Sequence, residues 1–173
     1  MAQDSREKRL FAYTGISDEL DAVNIRLLEE LQCNPRLTMS ELGRRVGMSS
    51  PAVTERVRRL EETGVIRGYR LELNPAALGL PIAAYIRVRP SPGQLSRVAE
   101  LARQTPEVVE CHRVTGEDCF ILKVYIPAID QLDVLLDAFL LYGSTTTSII
   151  QSSPVPHRPP PLPDSSSHDH TDV

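Results

Sequence analysis

The sequence has three cysteines, four histidines and no long apolar run, and each shortage narrows what it can be. Cys33, Cys111 and Cys119 are odd in number and lack metal-ligand spacing, which leaves reduced, mostly packed thiols in a cytosolic protein. No apolar stretch approaches the length of a membrane span, and the N-terminus has no hydrophobic signal core. The expected location is therefore the cytoplasm. Catalytic groupings are missing too. The folded part offers no paired carboxylates, no Ser/His/Asp order and no metal-spaced cluster. His112 is the only histidine outside the C-terminal tail, and a lone strand histidine is usually structural. His157, His168 and His170 lie in that tail, where no ordered scaffold would hold a metal ion. Neither an enzyme, a cofactor nor a metal site is expected. Strong overall basicity is also absent: net charge is −4 with a pI near 5.6, unlike a general nucleic-acid coat.

What is present is a local basic stretch. From Arg36 to Arg70 there are eight arginines against four glutamates, a surplus of four positive charges on an acidic chain. That pattern fits a site-specific nucleic-acid binder better than a nonspecific one. The same stretch has helix-turn-helix grammar. Thr38 and Glu41 have capping-box spacing, and Met39, Leu42 and Val46 follow at helical intervals. Gly47 ends the first helix. Gly43, mid-helix, is small where two helices must cross closely. Ser49 and Ser50 offer caps, Pro51 suits a first helical position, and Val53, Val57 and Leu60 form an apolar stripe ended by Gly64.

With that stripe inward, Pro51, Glu55, Arg58 and Arg59 point away and Thr54 lies on the flank. A recognition helix reads base edges from its N-terminal residues, so Ser49, Ser50, Pro51, Thr54 and Glu55 are candidate readers. Glu can accept from cytosine, and Arg58 and Arg59 suit bases or phosphates. Thr38, at the head of the first helix, and Arg67, beyond the second, complete the candidate DNA-binding set.

The expected fold class is α+β: an N-terminal three-helix helix-turn-helix (winged-helix-like) domain joined to a C-terminal ferredoxin-like βαββαβ domain. Residues 1–16 read as a flexible arm. The DNA-binding domain spans 17–66 and opens with a helix capped by Ser17 or Asp18 that runs to about Cys33. Residues 67–80, containing Tyr69, Leu71 and Leu73, read as a linker strand or small wing. The second domain spans 81–151. There Ile82, Ala84, Ile86 and Val88 alternate with outward residues, and Ser91-Pro92 starts a helix. Val108 to Val114 and Phe120 to Ile126 are strands, Asp130 opens a second helix, and Thr145 to Gln151 is a final strand. This order is the split βαβ unit with an antiparallel sheet and both helices on one face. The bare face would carry Ala83, Tyr85, Ile121 and Tyr125, which suggests a second copy packed against it. Residues 152–173, rich in Pro, Ser, Asp and His, read as a disordered tail.

The motifs LDAVNIRLLEELQ, ELGRRVGMSSPAVTERVRRLEETGVIRGY, LNPAALGL, ECHRVTGEDCFILKV and TTTSII run in this order from about Asp18 to Ile150. In this the sequence resembles the Lrp/AsnC (feast/famine) family of bacterial and archaeal transcription regulators. The resemblance implies a DNA-binding domain followed by a ligand-sensing, oligomerising domain. It also implies homodimers assembling to tetramers or octamers on double-stranded DNA, with a small effector, usually an amino acid. The family's recognition helix falls on Ser50 to Thr63. Its effector region falls on Thr115, Gly116, Glu117, Asp118 and Cys119, following Val114, and on Thr145, Thr146 and Thr147. Many members have Gly-x-x-Asp and then an aromatic. Here the third place after Gly116 is Cys119, Asp118 comes one place early, and the usual second acid of the first helix is Asn24. The leading expectation is a sequence-specific transcriptional regulator. The alternative is an architectural protein that bends or compacts DNA without a regulatory ligand.

Overall fold

The computed structural model describes residues 20–163. The expected arm and the tail histidines His168 and His170 lie outside them, and the first helix is capped by Asp21 rather than by the expected Ser17 or Asp18, because the Asp21 carboxylate is the one that reaches a free N–H of the first turn. The described chain divides into two compact units, one of residues 20–71 with 157–163, the other of 72–156.

In the first unit three helices pack together: α1 (Ala22–Cys33), α2 (Met39–Val46) and α3 (Ser50–Glu62). The N-cap of α1 is Asp21, whose carboxylate accepts from the Asn24 N–H at 2.7 Å and from Arg56 at 2.6 Å. Burial opposes the Asp21 charge, but the Asn24 and Arg56 bonds outweigh it and hold its carboxyl below the usual range. Helix α2 carries the full Thr38–Glu41 capping box and ends at Gly47. Leu27, Leu31, Leu37, Leu42, Val46, Val53 and Val57 form one core. Each helix thus contributes a stripe at 3.6-residue spacing to a shared centre. Gly43 is where α2 meets the turn into α3: a Cβ there would lie 2.6 Å from the Met48 carbonyl oxygen.

Asp21→Ala is expected to cost about 1 kcal/mol, the usual worth of an N-cap. The half-exposed pair with Arg56 adds little because solvent screens it. Since folding lowers the Asp21 pKa, this stability is present above the ordinary carboxylate range and lost as pH falls through the folded value. Thermal unfolding of both proteins at neutral and acid pH checks it: the gap in Tm should shrink in acid.

The linker strand or wing expected at 67–80 is not formed. Residues 67–74 have no regular structure, and a single 3₁₀ turn covers Ala76–Leu78. Tyr69, Leu71 and Leu73 are exposed, Leu71 at 83%. The apolar alternation is real, but a strand needs a neighbour to take its backbone hydrogen bonds, and this stretch pairs with none among the described residues.

The second unit contains β1 (Ile82–Pro90), α4 (Leu95–Gln104), β2 (Val108–Arg113), β3 (Phe120–Ile126), α5 (Ile129–Leu140) and β4 (Gly143–Ile149). The sheet order is β2-β3-β1-β4, with every pairing antiparallel. Ala84, Ile86 and Val88 of β1 and Phe120, Leu122, Val124 and Ile126 of β3 are buried against Val98, Ala102, Leu132, Leu135 and Phe139 of the two helices. Both helices therefore lie on one face. The opposite face carries Tyr85, Arg87 and Arg89 of β1, which are exposed, and the half-buried Ile121 and Tyr125 of β3.

Helix α4 begins later than Ser91-Pro92. Gly93 has φ 79, a left-handed turn that interrupts the helical run, and the helix starts at Leu95. Helix α5 begins one residue before Asp130, and β4 begins at Gly143, ahead of the expected Thr145. The thiols are less packed than expected. Cys33 ends α1 on its outer side, Cys111 lies on edge strand β2, and both are exposed, while Cys119 packs partly on the core. Residues 157–163 also differ from a free tail. They group with the helical unit, and Pro159, Pro160 and Leu162 line a groove with Leu28, Leu31 and Tyr69. Prolines have little conformational freedom to lose, so even a short apolar contact can hold them.

Candidate nucleic-acid interface and effector turn

Helix α3 presents what a recognition helix needs. Val53, Val57 and Leu60 are buried, so the opposite side, with Pro51, Thr54, Glu55, Arg58 and Arg59, faces solvent. Ser49 is the N-cap residue, makes no side-chain cap bond and is exposed, so its hydroxyl is open to an outside partner. Ser50 and Pro51 form the first turn, and the Thr54 hydroxyl donates to the Ser50 carbonyl at 2.8 Å. Arg58 lies between Glu55 and Glu62 and is hydrogen-bonded to both. Hydrogen bonding and charge from Arg58 hold the Glu55 carboxyl below its usual range, and the same contacts raise the Arg58 pKa. The pair is a preformed donor–acceptor array on an exposed helix face.

Two other candidates are placed differently. The Thr38 hydroxyl donates to the Glu41 carboxylate at 2.7 Å and accepts from its N–H at 3.2 Å, so its side chain serves the cap. Arg67 borders the groove that also takes Pro159 and Leu162, apart from the α3 set. The local arginine surplus is also partly used inside the unit. Arg45 pairs with Glu30 at 2.5 Å, and Arg56 reaches back to Asp21 and the Asn24 side chain. Arg44, exposed in the last turn of α2, was not among the candidates. Its exposed place in the last turn of α2, beside the turn into α3, is the signal that finds it.

The effector candidates fall on a hairpin and a strand. The Val114 N–H donates to the Cys119 carbonyl at 2.9 Å, closing a loop of Thr115, Gly116, Glu117 and Asp118. Gly116 has φ 118, which favours glycine, and no atom lies within 4 Å of where a Cβ would be. Glu117 pairs with Arg89, and Asp118 lies 3.7 Å from Arg87. Strand period divides the three threonines. Thr146 is opposite Arg87 and shares its face, whereas Thr145 and Thr147 are opposite the buried Val88 and Ile86. Cys119 packs on the core. Of the eight effector candidates, the structure brings Gly116, Glu117, Asp118 and Thr146 to one side, beside Arg87 and Arg89. Neither arginine is among the candidate site residues; the outward alternation Tyr85, Arg87, Arg89 along β1 is the signal that marks them.

Comparison with known proteins gives the geometry a context. A family model described as winged helix-turn-helix DNA-binding matches residues 20–67, and one described as the Lrp/AsnC ligand binding domain matches 83–160. The chain is 33% identical over 134 residues to the HTH-type transcriptional regulator LrpC of Bacillus subtilis, covering 78% of this chain and 93% of that protein. It is 44% identical over 108 residues to a leucine-responsive regulatory protein of Rhizobium meliloti, covering 61% and 69%. Among solved structures it is similar to B. subtilis LrpC, with a TM-score of 0.74, 33% identity and coverage of 78% and 96%. A transcriptional regulator–L-Met complex from Neisseria meningitidis matches with a TM-score of 0.73, 30% identity and coverage of 80% and 94%.

Proposed function

The chain belongs to the Lrp/AsnC family of transcriptional regulators, and from that premise we propose that helix α3 reads its DNA site while the Gly116 hairpin receives an amino-acid effector. It is a DNA-binding regulator and not an enzyme. The observation that carries the reading is the division of α3 into a buried Val53–Val57–Leu60 stripe and an exposed polar face. Ser49, Ser50, Pro51, Thr54 and Glu55 are the proposed base readers, and Arg58, Arg59 and Arg44 the proposed phosphate contacts. Arg67 is retained only as an outlying backbone contact, and Thr38 as the residue that sets the angle of α2.

An amino-acid effector is supported by relatives named leucine-responsive and by the neighbouring L-Met complex. Gly116, Glu117, Asp118 and Thr146 are the proposed contacts; Thr115 is adjacent, while Thr145, Thr147 and Cys119 hold the strands in place. Self-association is supported by the outer sheet face, where Tyr85 is exposed and Ile121 and Tyr125 are only half-buried. The proposed assembly is a homodimer, and higher states built from it, acting in the cytoplasm. No helix among the described residues is long and apolar enough to cross a membrane.

Selection of bound genomic fragments by the purified protein, with and without an amino-acid mixture, tests both halves. A recurrent, roughly palindromic site is expected, with occupancy or spacing altered by the mixture. Equal recovery of all fragments would favour the architectural alternative. Gly116→Val should lower effector affinity about tenfold, because forcing a β-branched residue to positive φ costs roughly 1–3 kcal/mol of turn stability. Duplex binding without effector should stay within about twofold of wild type, since the variant leaves α3 untouched. Titration calorimetry and fluorescence anisotropy measure the two.

A further inference from the structure

The C-terminal segment has a seat on the helical unit. The chain leaves that unit near Leu71, builds the sheet unit, and returns to the first at His157. Residues 151–163 are exposed with a single exception, Leu162, which is half-buried. Leu162 lines a groove with Leu28, Leu31, Val65, Ile66 and Tyr69. The apolar walls thus come from the second half of α1 and from the chain beyond α3. Tyr69 is fixed there, because its hydroxyl donates to the Glu61 carboxylate at 3.0 Å. Burial and that bond push its pKa up to about 12. The segment suits such a seat. Pro159, Pro160, Pro161 and Pro163 lack backbone N–H groups and hold the chain near the extended polyproline conformation, so little freedom is lost when Leu162 docks. Apolar grooves with an aromatic wall are the surfaces that take segments of this kind.

We propose that this groove is a binding site for a proline-leucine segment and that its ligand is the chain's own tail, His157 to Pro163, seated in cis. Leu162 is the anchor, and the prolines around it present it at low entropic cost. With Leu162 in place the chain ties the helical unit to the sheet unit twice, once through residues 72–81 and again through 150–158. A second tie closes a loop, and loop closure removes many of the separations that a singly tied unit samples. The seated tail thereby restricts which half-site spacings two copies engage on DNA. That consequence rests on the reading of α3 as the element that meets DNA; the seating of Leu162 does not.

The test compares the full chain with L162D, which puts a charge into the apolar groove and so releases the tail. A fluorescent peptide of residues 156–163, PHRPPPLP, is titrated into each and followed by anisotropy. It should bind L162D about tenfold more tightly than wild type, where it must displace a tethered copy at millimolar effective concentration. The same peptide carrying Leu162→Asp should bind neither chain. A chain ending at Pro156 should behave as L162D does. On duplexes with two half-sites, shifting one by half a helical turn should cost wild type roughly threefold more affinity than it costs L162D. If the peptide binds both chains equally, or binds neither, the groove is not the tail's seat and the inference falls. If L162D loses self-association in sedimentation, the groove holds the partner's tail and the cis arrangement is wrong. If the peptide result holds but the spacing preference is unchanged, the tether role falls and the seat stands. If no duplex binds at all, the reading of α3 falls alone, because the peptide titration needs no DNA.

Discussion

A chain carrying valine at Gly43 should lose duplex binding by roughly a hundredfold or more, while its sheet unit stays folded. Gly43 lies inside α2, where any residue but proline would improve helix propensity; alanine would gain about 1 kcal/mol on that count. The gain is outweighed by contact. A Cβ at 43 would sit 2.6 Å from the Met48 carbonyl oxygen and 3.6 Å from the Ser49 carbonyl carbon. Those atoms are the turn itself, not the far end of a flexible side chain. The turn cannot swing aside without cost either, because the Met48 N–H donates to the Gly43 carbonyl at 2.9 Å. Moving Met48 moves Ser49, and with it the start of α3. Overpacking of this kind costs about 1–3 kcal/mol, and a β-branched side chain adds more. A unit of this size commands only a few kcal/mol in total. Circular dichroism melting should show an early helical transition absent from wild type, followed by a sheet transition at the wild-type temperature. Anisotropy titration with a selected duplex measures the binding loss. A wild-type affinity would mean that α2 and α3 do not cross at Gly43 when bound to DNA.

Arg58→Ala should weaken duplex binding about tenfold near physiological salt and reduce the slope of log K against log salt by about one. The free chain already holds this guanidinium between Glu55 and Glu62 on the outer face of α3. That bracket keeps it extended over the helix surface, but binding a phosphate must compete with both carboxylates. Removing one competitor therefore has the opposite sign: Glu62→Gln should tighten binding two- to threefold, because it also removes a negative charge near the duplex. Glu55→Ala is different in kind, since Glu55 is a proposed reader of cytosine and its loss should relax sequence preference. Titrations at several salt concentrations against selected and scrambled duplexes separate the three. If Arg58→Ala binds as wild type at every salt concentration, the exposed side of α3 is not the side that meets DNA.

Local signals were legible because they repeat over short distances. The Thr38–Glu41 box, the Val53–Val57–Leu60 stripe and the β1 and β3 alternations need only near neighbours and the helix or strand period to be recognised. The same logic misjudged single events within a few residues. Ser91-Pro92 has the chemistry of a helix start, yet the left-handed Gly93 postpones it. Tyr69, Leu71 and Leu73 alternate like a strand, yet no second strand lies beside them among the described residues. Thr145, Thr146 and Thr147 are consecutive, and a strand offers only alternate residues to one face.

The sequence by itself determined the order of elements, the inward faces and the placement of a basic helix–turn–helix ahead of an α+β sheet domain, because periodicity and capping are written in adjacent residues. Tertiary structure decided where the long charged side chains end. It turned Arg56 back onto Asp21, bracketed Arg58 between two glutamates, and set Arg87 and Arg89 against a hairpin some thirty residues away. An arginine can reach many partners, and only the packing of distant elements selects one of them.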